Sequence, residues 1–326
     1  MIVDVSNIRV LFLGNCADPN MVPSDDPEIK AKRRYQSEIY AVLSELCKEV
    51  IGSDDPEDLF KRKGEYDFVF SLYNRMGFRS CEVFISSICE YLRVPYLGSY
   101  PEIRGIAENK KLFKFVVDSF GIPAPQSAAF YRNEKIIKPD NLTPPYFVKP
   151  MKGANSEWVD DNSYCLDWDS AAKQIEFLHS NGIAVLVEEF AEGINLTVPV
   201  LGGSEPKMLG VVEVFTEQAH GLRTFQEKLQ EYSDLSYKLC NKQIVLDAIE
   251  KHALLIHEAL KPLDYFQIDY RYNPSNDQLF ILEINICCHI ASFGSFGFAA
   301  QKSGISHKNL VRTILQTSME RQGLIS

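Results

Sequence analysis

Residues 281–290 read ILEINICCHI. The first half has the aliphatic texture of a buried strand, yet it carries Glu283 and Asn285 and then breaks into two cysteines and a histidine. Upstream, residues 266–272 (FQIDYRY) and 279–285 (LFILEIN) are two apolar-rich runs joined through NPSND, a pattern that predicts a β-hairpin. Side chains alternate across a strand, so Gln267, Asp269 and Arg271 share one face of the first run, and Ile281, Glu283 and Asn285 share one face of the second. If those faces meet, opposed Cβ atoms lie roughly 4.5 to 5.5 Å apart, and two carboxylates and an amide oxygen converge on one point. Buried carboxylates are costly unless something cationic compensates. An all-oxygen set favours a hard cation, and magnesium takes one or two carboxylates and completes its shell with water and phosphate. The alternative is a solvated sheet face balanced by Arg271.

Outward from the hairpin, the 326 residues are 45% apolar, enough for a sizeable core and two or three subdomains. A net charge of -10 leaves no basic footprint for nucleic acid and disfavours an anionic membrane surface, so a small polar ligand is the expected partner. No apolar run approaches the ~18 residues of a membrane span. The opening MIVDVSNIRVLFLGN has neither a basic start nor a small-residue cleavage site, so a cytoplasmic protein is expected. The eight cysteines show no CxxC spacing and are expected to be reduced thiols.

The first hundred residues alternate strand and helix signals. IRVLFLG reads as a strand, 28–50 as a helix, YDFVFSLYN as a strand and SCEVFISSICEYL as a helix, which together predict a parallel sheet covered on both faces. A basic helix, ENKKLFKFVVDSFG, follows and is stopped by Gly121 and Pro123. Strands are then expected at PPYFVKPM, AVLVEEF, LTVPVLGG and KMLGVVEVF, with one helix between the first two. The polar stretch 216–241 has no period and reads as a loop over something. Residues 242–261 form an amphipathic helix with Val245, Ile249, Ala253, Ile256 and Leu260 on one stripe, and HKNLVRTILQTSM closes the chain as a helix.

Three lysines stand out. Lys149 ends the strand YFVKP, Lys110 opens the helix NKKLFK, and Lys228 lies in the loop as QEKL. Each alone reads equally as a surface charge. The segment from VLVEEF to GINLTVPV is a strand, a sharp turn and a second strand, which can lay a nucleobase against backbone groups or be an ordinary hairpin edge.

In this order and spacing the pieces resemble the ATP-grasp superfamily and, within it, the D-alanine–D-alanine ligase family. The likeness runs from YDFVFSLYNRMG and VPYLGSYPEI through NKKLFK, YFVKP, VLVEEFAEGINLTV and QIDYRY to LEINICCHIASFGSFGFAAQKSGIS. It implies an α/β fold in three subdomains, an N-terminal one over 1–100, a central one over 101–187 and a C-terminal one over 188–326, with ATP and two magnesium ions clamped between the last two. By the same likeness Asp269, Glu283 and Asn285 match the magnesium ligands, and Lys110 and Lys149 the phosphate-contacting lysines. Glu188 and Ala191 fall at the adenine hinge, and Lys228 matches a lysine reaching the phosphates from the closing loop. The chemistry implied is attack of a carboxylate on the γ-phosphate, then displacement of phosphate from the acyl phosphate by an amine, giving an amide and ADP. Its anionic oxygens need cations around them, and the acyl phosphate needs shelter from water.

The departures from the family pattern fall mostly where amino-acid substrates would sit. Ala154, Asn155, Ser156, Glu157 and Trp158 replace a Gly-Ser-Ser-x-Gly loop, keeping only the serine at 156. Asn195 replaces a ribose-binding glutamate, Leu229 a tyrosine and Gln267 an oxyanion-stabilising arginine. CCHI replaces an Asn-x-x-Pro-Gly turn, and no counterpart exists for the amino-terminal glutamate that holds the first amine. Arg75, Arg223 or His289 could take over from the missing arginine, and Asn74 with Arg75 could hold a substrate carboxylate. Ser292 and Ser295, with His289, are candidate contacts of the second-substrate pocket. A zinc site at Cys287, Cys288 and His289 is disfavoured because contiguous residues rarely ligate one tetrahedral ion. The expectation is an ATP-dependent carboxylate–amine ligase for amino acids or small amines, with a homodimer as the assembly to test. A D-alanine–D-alanine ligase or a nucleotide-binding regulator without turnover are the competing readings.

Overall fold

The computed structural model describes residues 4–73, 80–153, 156–216, 219–222 and 237–324. Strands β1 (Arg9–Leu13), β2 (Glu49–Ser53) and β3 (Phe68–Ser71) form a parallel sheet in the order β2-β1-β3. Alternation along β1 sends Val10 and Phe12 to one face, with Ile39 and Leu43 of helix α1 (Pro27–Leu46). Leu11 and Leu13 go to the other, with Leu59 of α2 (Asp58–Lys61) and Ile85 and Cys89 of α3 (Cys81–Leu92). The covered parallel sheet is as the alternation predicts. The helix expected over 28–50 stops earlier: Asp26 caps its start through the N–H groups of Glu28 and Ile29, but Cys47 leaves the helical region and Glu49–Ser53 becomes β2. Pairing of Val50 and Ile51 with Val10 and Leu11 overrides the local helical texture.

The basic helix forms as expected, and a further helix precedes it. Helix α4 (Pro101–Glu108) ends at Asn109, which is extended and accepts from the N–H groups of Lys111 and Leu112, so it caps α5 (Lys110–Ser119). A four-stranded sheet follows in the order β4-β7-β5-β6, from β4 (Ser127–Phe130), β5 (Tyr146–Pro150), β6 (Tyr164–Cys165) and β7 (Val185–Glu189). Helix α6 (Trp168–Ser180) packs Ala171, Ile175 and Leu178 onto it.

The last sheet has six strands: β8 (Ile194–Leu201), β9 (Lys207–Met208), β10 (Val212–Val214), β11 (Tyr237–Leu239), β12 (Tyr265–Asn273) and β13 (Gln278–Asn285), ordered β11-β10-β8-β12-β13 with β9 on β8. The expected strand KMLGVVEVF is thus split into β9 and β10. Helix α7 (Gln243–Leu260) buries the whole predicted stripe, Val245, Ile249, Ala253, Ile256 and Leu260. Helices α8 (Ser295–Lys302) and α9 (His307–Arg321) complete the chain, and α9 packs Leu310, Val311 and Ile314 into the same core as β1 and α1. Among the described residues no helix is long and apolar enough to cross a membrane.

The turn from β7 to β8 joins the central sheet to the last one. Gly193 sits there at φ +122°, and a Cβ would lie 2.1 Å from the Tyr272 carbonyl oxygen, so only glycine lets β12 pass this close.

The hairpin pairs antiparallel as expected, with Gln267 opposite Asn285 and Asp269 opposite Glu283. One expectation fails. The register shifts between Asp269 and Tyr270, so that Tyr270 faces Ile281 and Leu282 is the extra residue of a bulge. Ile281 therefore does not share the face of Glu283 and Asn285. It joins Ile268, Tyr270 and Ile284 in the core, while Leu282 and Glu283 line the cleft described next.

Candidate active site

Between the last two sheets lies a cleft of about 150 Å³. Lys110, Lys149, Ser156, Glu188, Ala191, Asn195, Asp269 and Glu283 all line it, eight of the residues singled out from sequence. Asn285 and Gln267 join through Asp269: the Asn285 amide donates to Oδ2 at 2.9 Å and the Gln267 amide to Oδ1 at 3.1 Å. Thr197 also donates to Oδ1 of Asp269, and Ser295 Oγ donates to Gln267 Oε1 at 3.2 Å. Glu283, opposite Asp269, reaches Lys110 Nζ at 3.2 Å. Lys110 also donates to the Gly153 carbonyl at 2.7 Å, so α5, β13 and the strand-end segment after β5 meet at one ammonium.

At the other end of the cleft Glu188 is almost fully enclosed, its side chain only 2% accessible. Its carboxylate meets Lys149 at 2.7 Å through one oxygen and Lys114 at 2.8 Å through the other. Burial pushes the Glu188 carboxyl up, but the two ammoniums outweigh it and hold it below the usual carboxylate range. Sequence reasoning placed Glu188 at a nucleobase hinge and did not single out Lys114, which stands one turn after Lys110 on α5.

Arg271 is a second feature that reading the sequence undervalued. Its guanidinium is buried and donates to the Ala191 carbonyl at 2.9 Å, to Asn195 Oδ1 at 2.9 Å, and to the carbonyls of Gly221 at 2.9 Å and His220 at 2.5 Å. The Asn195 amide donates in turn to Gly221 at 2.9 Å. Asn195 is thus engaged with Arg271 and the 219–222 turn, rather than projecting alone into the ribose region. Burial lowers Arg271 to about 10, an effect opposed by Glu192. The His220 ring stacks on Tyr164 of β6 at 4.0 Å and 18°, with Phe190 edge-on to Tyr164 at 4.8 Å. The turn therefore bridges the two sheets beside the cleft.

The remaining candidates lie elsewhere. His289 is half-buried against Tyr35, ring centroids 4.0 Å apart, and 5.5 Å from Phe293; burial pulls it down to about 4. Ser292 is exposed and donates its backbone N–H to Glu38 at 3.1 Å. Cys287 accepts from the Arg104 guanidinium at 2.6 Å, and the described cysteines are free thiols. Asn74, Arg75, Ala154, Asn155, Arg223, Lys228 and Leu229 lie outside the described residues. Among the described residues no group of three or more His, Cys, Asp or Glu side chains is placed to hold a metal. The oxygen set at the hairpin is two carboxylates and an amide, suited to a hard cation that also takes ligand oxygens.

Two sheets closing on a cleft, with lysines at one wall and paired carboxylates at the other, define the ATP-grasp architecture. The family model described as "D-ala D-ala ligase C-terminus" matches residues 116–316, and the chain belongs to that family of ATP-dependent, amide-bond-forming ligases. A D-alanine–D-alanine ligase of Carboxydothermus hydrogenoformans is 24% identical over 79% of this chain and 83% of its own length. One of Nitrosomonas eutropha is 26% identical over 97% of this chain and 98% of its own. The crystal structure of D-alanine–D-alanine ligase from Bacillus anthracis complexed with ATP superposes with a TM-score of 0.75, covering 97% of this chain and 99% of that one at 18% identity. At that identity the superposition speaks for the fold.

Proposed function

We propose that this ligase joins the carboxylate of an amino acid to the amine of a second amino acid or a small amine, using ATP with magnesium. The observation that carries the reading is the meeting, in one cleft, of Asp269 and Glu283 with Lys110 and Lys149, Asn285 being bonded to Asp269. Asp269 and Glu283, supported by Asn285, would hold magnesium, which when bound neutralises phosphate charge. Lys110 and Lys149 orient the β- and γ-phosphates. The backbone after β7, at Ala191, faces the base, fixed by Arg271. Gln267, held between Ser295 and Asp269, faces the reacting centre as a neutral donor. Arg75, Asn74 and Lys228 are proposed substrate and phosphate contacts on the sequence pattern alone.

Transfer of the γ-phosphoryl to the donor carboxylate gives an acyl phosphate, and the acceptor amine then displaces phosphate. Water must be excluded between the two steps. The second reading, D-alanine–D-alanine ligation itself, is favoured by the relatives that carry that name. Against it stands Gln267, which cannot supply the bidentate charge of an arginine to a developing oxyanion. Product mass after incubation with ATP, magnesium and D-alanine, set against a panel of L-amino acids and amines, separates the two. We expect a mixed pair to release ADP fastest; if D-alanine alone matches the best pair, the second reading stands.

A further inference from the structure

Lys114 does not line the cleft, although Lys149 and Glu188 do. It stands behind Glu188, 2.8 Å from the oxygen that Lys149 does not touch, and its ammonium also donates to the Pro125 carbonyl at 3.2 Å. Lys114 and Lys149 have side chains only 10% and 7% accessible, so both charges act through a medium that screens them poorly. Two ammoniums share one carboxylate, leaving one net positive charge. Without Lys114, Lys149 and Glu188 would form a neutral pair, and an incoming phosphate would meet no net charge at that wall.

We propose that Lys114 is a positioning residue for nucleotide binding: by holding Glu188 from behind, it keeps Lys149 electrostatically available to a phosphate. The inference rests on Lys149 being a phosphate contact. A purely structural role would be charge neutralisation of Glu188 for folding, with no selective effect on phosphates.

The test is the ratio of adenosine to ATP dissociation constants, measured by calorimetry on the full chain, because it isolates the phosphate contribution from any contact with the base. In Lys114→Met the ratio should fall roughly tenfold, about 1.4 kcal/mol, and Lys114→Arg should recover most of it. Lys114→Met combined with Glu188→Gln removes both the distant cation and the carboxylate it offsets. That double variant contains no buried carboxylate at this position, so it also guards against misfolding of the single one, in which one Glu188 oxygen loses its partner. Its ratio should return to within about threefold, ~0.7 kcal/mol, of the parent. A ratio unchanged in Lys114→Met, or still depressed in the double variant, overturns the role of Lys114. If Lys149→Met leaves the ratio unchanged, the phosphate assignment of Lys149 fails and this inference falls with it; a drop there with none in Lys114→Met sinks Lys114 alone.

Discussion

Replacing Glu283 by Gln removes one formal charge and keeps the shape of the side chain. In the fold, Glu283 faces Asp269 across the hairpin and meets Lys110 at 3.2 Å, with its own side chain 25% accessible. A pair this exposed contributes on the order of 0 to 1 kcal/mol to stability, so the melting temperature should move by no more than about 3 °C. Catalysis is far more sensitive. Metal-based charge stabilisation is worth several kcal/mol, and losing ~2.7 kcal/mol of it slows turnover ~100-fold. The two effects differ enough to be separated in one protein preparation. Turnover should be followed as ADP release at saturating ATP while magnesium is titrated, with thermal unfolding recorded alongside. We expect at least the ~100-fold loss at every magnesium concentration, with the fold intact. Near-normal turnover at saturating magnesium would refute the metal assignment, and so would a loss of activity that simply tracks unfolding.

Lys110→Ala should weaken ATP more than adenosine, because Lys110 faces Glu283 and the open cleft; equal losses in calorimetry would mean that it acts through structure alone. Arg271→Lys should destabilise the chain by roughly 2 to 4 kcal/mol in urea unfolding, since an ammonium cannot reach the carbonyls of Ala191, Gly221 and His220 together and buried acceptors left unpaired are costly. An unchanged unfolding midpoint would contradict that account. Glu82 on α3 is pushed up to about 7, chiefly by burial, with Arg104 opposing. The folded state thus keeps a proton that the unfolded chain gives up above its ordinary 4.5. The contribution is full below that value and is lost as pH rises through about 7. Glu82→Gln should therefore stabilise the protein at pH 8 relative to the parent and change little near pH 4, which urea midpoints across that range can check.

The parts of the fold legible from sequence are those fixed by local periodicity. The stripe of α7 is legible to the residue, and alternation puts Asp269 on one face of β12 and Glu283 with Asn285 on one face of β13, while the register that sets Asp269 opposite Glu283 comes from the fold. What stayed hidden depends on distant partners. The start of β2, Glu49 and Val50, continues the helical texture, and only β1, some forty residues away, makes it a strand. Strands β4, β6 and β11, each of two to four residues, are too short to carry a period. The bulge at Leu282 brings Ile281 opposite Tyr270 in the core, which alternation alone cannot foresee. Lys114 was within the quoted NKKLFK, at helical spacing from Lys110, but its partner Glu188 lies in another element. Arg271, which in the alternative reading balances a solvated sheet face, is buried and holds the backbone of Ala191 and of the 219–222 turn.

The ion pair between Lys110 and Glu283 ties these observations to the proposed reaction. Its two charges come from α5 and β13, which pack into one core, and the side chains meet at 3.2 Å. With nucleotide and magnesium bound, Lys110 would hold a phosphate oxygen and Glu283 would hold the metal, each meeting an opposite charge as it does now. The two charges would therefore exchange partners, and neither would lose an opposite charge. That exchange also makes the two ligands interdependent. Nucleotide alone would draw Lys110 away and leave Glu283 facing Asp269, two like charges side by side, whereas magnesium alone would draw Glu283 away and leave Lys110 with the Gly153 carbonyl. Binding of ATP and magnesium should consequently be cooperative, each tightening the other, and calorimetric titrations of ATP with and without magnesium measure the coupling directly.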